Sequence, residues 1–211
     1  MKLINPNPFT TRPEIVGTFG VVTSTHWIAT AVGMGILERG GNAFDAGCAT
    51  AFTLQVVEPH LNGPGGDVPV ILYDVKKGKP EIICGQGPAP AKATIAHYKS
   101  EGLDMVPGSG LLAACVPGTF ETWMMLLRDY GTMPLRAVLE PAISYARNGY
   151  PLVERIVATI ATVEDLFRTH WTTSADTYLP GGHLPKTGDL FTNPVLADMY
   201  ERILREAEAG G

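Results

Sequence analysis

The order of elements in this 211-residue sequence predicts an α+β fold. Three observations carry that expectation. Residues 26–57 hold two helical apolar patterns separated by Gly40-Gly41-Asn42. Residues 68–84 hold two β-rich runs around a glycine-containing turn. From Thr119 onward the apolar residues recur at helical spacing, so the strands are too few to complete a sheet.

Residues 1–19 read as an irregular arm, with prolines at positions 6, 8 and 13, and Gly20–Ser24 as a short β-like run. His26–Arg39 reads as a helix with Ile28, Ala31, Val32, Gly35 and Ile36 on one face. Gly40-Gly41 closes it in a left-handed turn. Asn42 caps the next helix, with Asp45 three residues on to complete a capping box, and Pro59 ends it after Val57. Both helices carry Ala and Gly on their apolar faces, which allows close approach of another layer.

Val68–Tyr73 and Pro80–Cys84 form the predicted hairpin. Before it, Asn62-Gly63-Pro64-Gly65-Gly66-Asp67 limits side-chain bulk and allows close backbone approach. Ile95–Ser100 is a short helix. Gly108–Gly118 reads as a loop and strand that meet a helix at Thr119, and Thr119–Tyr130 presents Phe120, Trp123, Met124 and Leu127 at helical spacing. Leu135–Arg147 and Leu152 to about His170 are further helices. Asn193-Pro194 opens the last, which runs to Glu208. Residues 20–94 thus hold the helix pair and hairpin, and residues 95–211 are mainly helical.

Composition excludes several function classes. Hydrophobic residues make up 45% and charged residues 18%, enough for a real core. Net charge is −5 with no basic run, which argues against nucleic acid as a partner. The start lacks a signal-peptide core, and no run of about 18 apolar residues occurs, so a soluble, cytoplasmic chain without a membrane partner is expected. The three cysteines (Cys48, Cys84, Cys115) form no pair motif and read as buried, reduced thiols. The five histidines show no metal spacing, so neither a metal nor an organic cofactor is expected. Gly63-Pro64-Gly65-Gly66 precedes a strand and lacks the Lys-Ser/Thr of a phosphate loop. Gly108-Ser109-Gly110 lacks the outer spacing of a nucleophile elbow.

Two stretches remain. Glu58-Pro59-His60 reads either as a helix end with a histidine at its negative pole or as part of a pocket. Gln86, held between Gly85 and Gly87 at the end of the second strand, reads either as a turn residue bonded to local backbone or as a residue presented to a ligand.

The segments GGNAFDA, VVEPH, PAPAKAT, the Val116-Pro117-Gly118 step and YGTMPL, taken in order, resemble the γ-glutamyltransferase family over most of the chain. The resemblance is to the N-terminal part of that family's large subunit. It implies part of a four-layer αββα N-terminal nucleophile hydrolase fold, made as a self-cleaving precursor. The nucleophile would be a new N-terminal Thr whose own amine is the base. No Thr here matches that position, so the resemblance implies no catalytic residue in this chain and a missing C-terminal part, including the small subunit, as its partner. Gln86 stands where γ-glutamyl enzymes carry an arginine that grips a carboxylate. That departure points to a branch similar to oxamate amidohydrolase and to a small amide as substrate. Gln86, Gly85 and Gly87 would line the substrate side, and Glu58, His60, Gly65 and Gly66 would support the pocket. The alternative is a non-catalytic structural or pairing module that needs another chain.

Overall fold

A computed structural model describes residues 14–210. Helices α1 (Trp27–Glu38) and α2 (Ala43–Val57) form a helical hairpin joined through Gly40, whose φ of +88° suits a residue without Cβ. Strands β1 (Val68–Asp74) and β2 (Lys79–Gly85) follow, then the short α3 (Ile95–Ser100). The remainder is α4 (Thr119–Tyr130), α5 (Leu135–Asn148), β3 (Tyr150–Pro151), α6 (Glu154–Thr169), α7 (Thr172–Tyr178), β4 (Leu190–Phe191) and α8 (Pro194–Gly210). The α+β expectation is met, with two separate two-stranded antiparallel sheets, β1–β2 and β3–β4.

α2 is the hub. It packs against α1, α4 and α5, and α8 packs on α5 and reaches α2 through Tyr200. Ile36, Phe52, Val57, Val138, Leu139, Ala142, Ala146, Tyr200 and Leu204 are fully buried in this core. Each large side chain removed from water contributes about 1.5–3 kcal/mol. Tyr200 meets the Phe52 ring edge-on and donates its hydroxyl hydrogen to Gln55 Oε1 at 2.6 Å, which fastens α8 to α2. A second aromatic group, Tyr150, Phe167, Trp171, Tyr178 and Phe191, gathers α6, α7 and the β3–β4 sheet.

The N-terminus of α2 shows why the core takes this arrangement. Asn42 Oδ1 accepts from the N–H groups of Phe44 and Asp45, and Asp45 Oδ2 accepts from the Asn42 N–H, as the capping box requires. The Asp45 carboxylate does more than cap. It also accepts from the Thr132 N–H (2.9 Å), the Thr132 hydroxyl (2.7 Å) and the Met133 N–H (3.2 Å). Asn42 Nδ2 donates to the Tyr130 carbonyl at 2.7 Å. Both capping residues therefore clamp the α4–α5 turn, almost ninety positions away. A Cβ on Gly131 would lie 2.8 Å from Asp45 Oδ1 and 2.6 Å from the Leu127 carbonyl, so this turn needs its glycine.

Several expectations are corrected. His26 is the N-cap of α1, its Nδ1 accepting from the Ile28 N–H at 3.2 Å, rather than its first residue. The buried face of α1 is Ile28, Ala29, Gly33 and Ile36, while Ala31 is exposed, because Gly33 is the point of closest approach to Thr50 and Val22. Gly20–Ser24 is not a strand, since among the described residues no strand lies beside it. Between Gly108 and Gly118 there is one 3₁₀ turn, Leu111–Ala113, and no strand. The helix after α5 begins at Glu154, because Tyr150-Pro151 is drawn into a ladder with Phe191-Leu190. α7 was not anticipated, as Thr, Ser and Asp dominate it. The cysteines are free, but only Cys48 is buried, whereas Cys84 and Cys115 are exposed. Burial, with the Asp45 charge adding to it, pushes the Cys48 thiol up to about 12. Of the irregular arm, residues 14–19 carry no regular structure, and the prolines at 6, 8 and 13 lie outside the described residues. Asn193 caps α8 as expected, accepting from the Leu196 N–H at 3.1 Å.

Burial alone would raise the Asp45 pKa, but the hydrogen bonds from Thr132, Asn42 and Met133 together outweigh it and hold the carboxyl below its usual value. A depressed folded pKa contributes stability that is complete above the unfolded value of about 3.9 and is lost as pH falls through the folded one. Asp45→Asn should therefore cost about 2–4 kcal/mol at pH 7, read as a lower urea midpoint at unchanged slope. The gap between variant and wild type should narrow below about pH 4.

Candidate functional site

The β1–β2 hairpin positions the site. Its register, Val68↔Gly85 through Asp74↔Lys79, leaves Val70, Leu72, Glu81, Ile83 and Gly85 turned to the helices. Pro69, Ile71, Tyr73, Pro80, Ile82 and Cys84 face outward, with Ile71 at 79% and Ile82 at 75% exposure. Gln86 follows at the end of β2. The loop 62–67 approaches β1 from α2, and the carbonyl of Gly66 accepts from the N–H groups of both Gly118 and Thr119, each at 3.1 Å. Three chain segments thus converge: loop 62–67, the end of β2, and the start of α4.

The glycines make that convergence possible. A Cβ on Gly87 would sit 1.4 Å from the Val116 carbonyl oxygen, and one on Gly118 would sit 2.4 Å from the Gly85 carbonyl. A Cβ on Gly85 would meet Val68 O and Thr122 Oγ1, both at 2.3 Å. Gly85 and Gly87 admit neighbouring backbone rather than clearing space for Gln86. A Cβ on Gly65, by contrast, would meet nothing within 4 Å, and one on Gly66 would only reach ordinary contact with the Gly63 carbonyl oxygen and Thr119 Oγ1.

Two cavities flank the junction. One, of about 490 Å³, is lined by Gly65, Gly66, Asp67, Gln86, Gly87 and the 114–116 segment, which includes Cys115. Gln86 Nε2 donates to Asp67 Oδ2 at 3.5 Å, and the Cys84 thiol lies 3.9 Å from Gln86 Oε1. The other cavity, of about 390 Å³, holds Thr25, Gln55, Glu58, Asn62, Thr119 and Trp123 among its lining residues, and shares Gly66 and Asp67 with the first. Glu58 is buried and accepts a hydrogen bond from the Thr25 hydroxyl. Thr119 Oγ1 and Trp123 Nε1 are buried without a partner.

Of the residues singled out from sequence, Gln86, Gly87, Gly65 and Gly66 therefore come together, and Glu58 joins them through the adjoining cavity. Gly85 is buried beneath it. His60 goes elsewhere, into a small apolar cavity with Pro59, Ile156, Ile160, Phe167 and Tyr178. Both of its ring nitrogens are buried and unpartnered. Burial lowers its pKa, the Glu58 charge opposes that shift, and Arg155 adds to it, so the ring is neutral at pH 7. His26 is shifted down in the same way by burial, with Glu58 opposing and His60 reinforcing. Asp67, Thr25, Gln55, Thr119 and Trp123 were not anticipated. Asp67 was findable, since a glycine run that ends in a carboxylate presents that carboxylate. Among the described residues, no cluster of three or more His, Cys, Asp or Glu side chains could hold a metal ion, and no helix is long and apolar enough to cross a membrane.

The family model described as gamma-glutamyltranspeptidase matches residues 29–210, and the chain belongs to that family. The chain is similar to a solved structure titled LmbA2991HD, with a TM-score of 0.92 at 56% identity, over 96% of this chain and 35% of that one. It is 34% identical to the glutathione hydrolase-like YwrD proenzyme of Bacillus subtilis, over 93% of this chain and 37% of that protein. It is 33% identical to the oxamate amidohydrolase proenzyme of Klebsiella pneumoniae, over 86% of this chain and 35% of that protein. The chain thus spans about a third of the length of these relatives. Its fold is that of the matching part of gamma-glutamyltranspeptidase and acylase structures.

Because the Val116 carbonyl occupies the position of a Gly87 Cβ, Gly87→Ala should force β2 and the 114–118 segment apart. The expected outcome is a loss of about 2 kcal/mol or more and faster amide exchange at Val116 and Gly118, read by hydrogen exchange. Gly65→Ala, with open space around it, should leave both unchanged.

Proposed function

We propose that these residues form the non-nucleophilic side of the active site of a γ-glutamyltransferase-like amidohydrolase. The attacking Thr, its amine base and the oxyanion donors would come from a region outside the 211 residues. Support comes from family membership, from relatives described as proenzymes, and from a polar cleft that gathers around Gln86. The observation that carries the reading is the placement of Gln86. The close approach of Val116 and Gly118 to Gly87 and Gly85 fixes the end of β2, and residue 86 lies on the cavity wall.

In this reading the Thr hydroxyl attacks an amide carbonyl and its α-amine takes the proton. The resulting α-ammonium gives that proton to the substrate's amide nitrogen as the C–N bond breaks and the product amine leaves, and water, deprotonated by the same α-amine, hydrolyses the acyl ester to free the Thr hydroxyl. The cleft's part is to bind and orient the acyl portion so that the carbonyl carbon lies in line with the nucleophile. Gln86 offers a neutral amide where a guanidinium would bind a carboxylate in two parallel bonds, which weakens the case for glutathione-type substrates.

A second reading is a non-catalytic pairing module. The outward face of the hairpin, with Ile71, Tyr73 and Ile82 exposed, favours a covering chain. That same face is compatible with the amidohydrolase reading, in which the remaining chain covers it. Amide hydrolysis by the 211-residue chain alone would eliminate the pairing module.

Intact-mass analysis of the product of the complete gene tests the main reading. Two polypeptides are expected, the smaller beginning with Thr, and replacing that Thr with Ala should leave a single uncleaved species. A wild-type product that stays uncleaved and hydrolyses no amide would remove the enzyme assignment.

A further inference from the structure

The cleft is unusual in its charge. Its two cavities share Gly66 and Asp67, and among the described residues neither is lined by Lys or Arg. Asp67 forms no ion pair among the described residues. Its one hydrogen bond is the long contact from Gln86 Nε2. That contact orients the Gln86 amide, because its NH₂ turns toward the carboxylate and its Oε1 is left to accept. Among the described residues the one hydrogen-bond donor to Oε1 is the Cys84 thiol, a weak donor at 3.9 Å. Glu58 adds a second carboxylate in the adjoining cavity, with the Thr25 hydroxyl as its one hydrogen-bond donor.

An independent feature indicates that this wall meets a ligand. Thr119 is 5% exposed and lines the Glu58 cavity, and its Oγ1 has no hydrogen-bond partner. A buried hydroxyl left unpaired costs about 1–3 kcal/mol. The Gly66 carbonyl, which accepts from the Gly118 and Thr119 N–H groups, fixes the Thr119 backbone beside that cavity.

We infer that Asp67 is a specificity-determining residue, and that with Gln86 and Glu58 it selects an acyl group bearing an ammonium while rejecting one bearing a carboxylate. The inference rests on the amidohydrolase reading for its substrate class, and on the charge of the cleft for its selectivity. Two carboxylates and an outward amide oxygen present acceptors only, so the matching group is a cationic donor. A substrate carboxylate would meet like charge from these two side chains, with no guanidinium or ammonium among the described lining residues to offset it. Thr119 and Gln55 are placed to take a remaining polar atom of the same ligand.

Three p-nitroanilides isolate the two charges. 4-Aminobutyryl p-nitroanilide carries only the ammonium, glutaryl p-nitroanilide only the carboxylate, and γ-glutamyl p-nitroanilide both. With the full-length processed enzyme, kcat/KM should fall in the order 4-aminobutyryl, γ-glutamyl, glutaryl, with about tenfold or more between the first and last. Asp67→Asn should compress that ratio, mainly through KM, and the compression should shrink in high salt. The double change Asp67→Asn with Gln86→Arg should reverse the order. Glutaryl turnover equal to or above 4-aminobutyryl turnover in the wild type would overturn the inference, as would a ratio indifferent to Asp67. Calorimetric titration of the same protein with 4-aminobutyramide and with glutaric acid monoamide gives an answer independent of turnover. Binding of the first and not the second supports the selectivity even if no anilide is cleaved, and that combination would count against the amidohydrolase reading alone. Tighter binding of the monoamide, or equal binding of the two, would overturn the selectivity.

Discussion

The Asp45 carboxylate is the constraint on which the rest of this structure depends. It is fully buried, yet it accepts hydrogen bonds from its own N-cap and from two residues of the α4–α5 turn. A buried carboxylate is costly unless its oxygens are satisfied, and here nearly every donor comes from backbone or from one hydroxyl at fixed position. The result is a joint with one good geometry. It sets the start of α2, the end of α4 and the start of α5 relative to one another. Because α2 carries the core contacts of α1, α5 and α8, the position of the whole helical layer follows from that joint.

The cleft inherits its shape from the same layer. α4 leaves the Asp45 joint at its C-terminal end, and at its N-terminal end it binds the Gly66 carbonyl through two N–H groups. One helix therefore connects the buried carboxylate to the loop that carries Asp67. The close approach of Val116 to Gly87 and of Gly118 to Gly85 then fixes the end of β2 and with it Gln86. No side chain could occupy those Cβ positions, so the backbone there is set by steric exclusion rather than by attraction.

The outward face of the hairpin stands in contrast to this tightly made interior. Period-2 alternation is present in both strands, but the outer set is as apolar as the inner, with Ile71 opposite Ile82 and Tyr73 opposite Pro80. A hairpin with two apolar faces belongs in a sheet covered on both sides. That property agrees with the layered fold of the family, in which the chain corresponds to about a third of its relatives.

Local patterns were legible in the sequence wherever neighbours in the chain decide the outcome. The capping box at Asn42–Asp45, the two helices around Gly40, the turn of the hairpin and the Asn193-Pro194 start all follow from contacts within a few residues. Two of the motifs that marked the family meet in space, since GGNAFDA and YGTMPL are the two halves of the Asp45 joint. What the sequence could not determine depends on partners far along the chain. Among the described residues the β-like run at Gly20–Ser24 has no strand to pair with, and α6 starts at Glu154 rather than Leu152 because Tyr150-Pro151 pairs with Phe191-Leu190 and the Leu152 N–H donates to the Asp189 carbonyl. His60, adjacent in sequence to the Glu58 cavity, turns into an apolar pocket against α6. Asp67 shares one cavity with Gln86 and another with Glu58 only once the chain is folded. Sequence order carries the short-range hydrogen bonds, and only tertiary packing decides which charges face one another across a cleft.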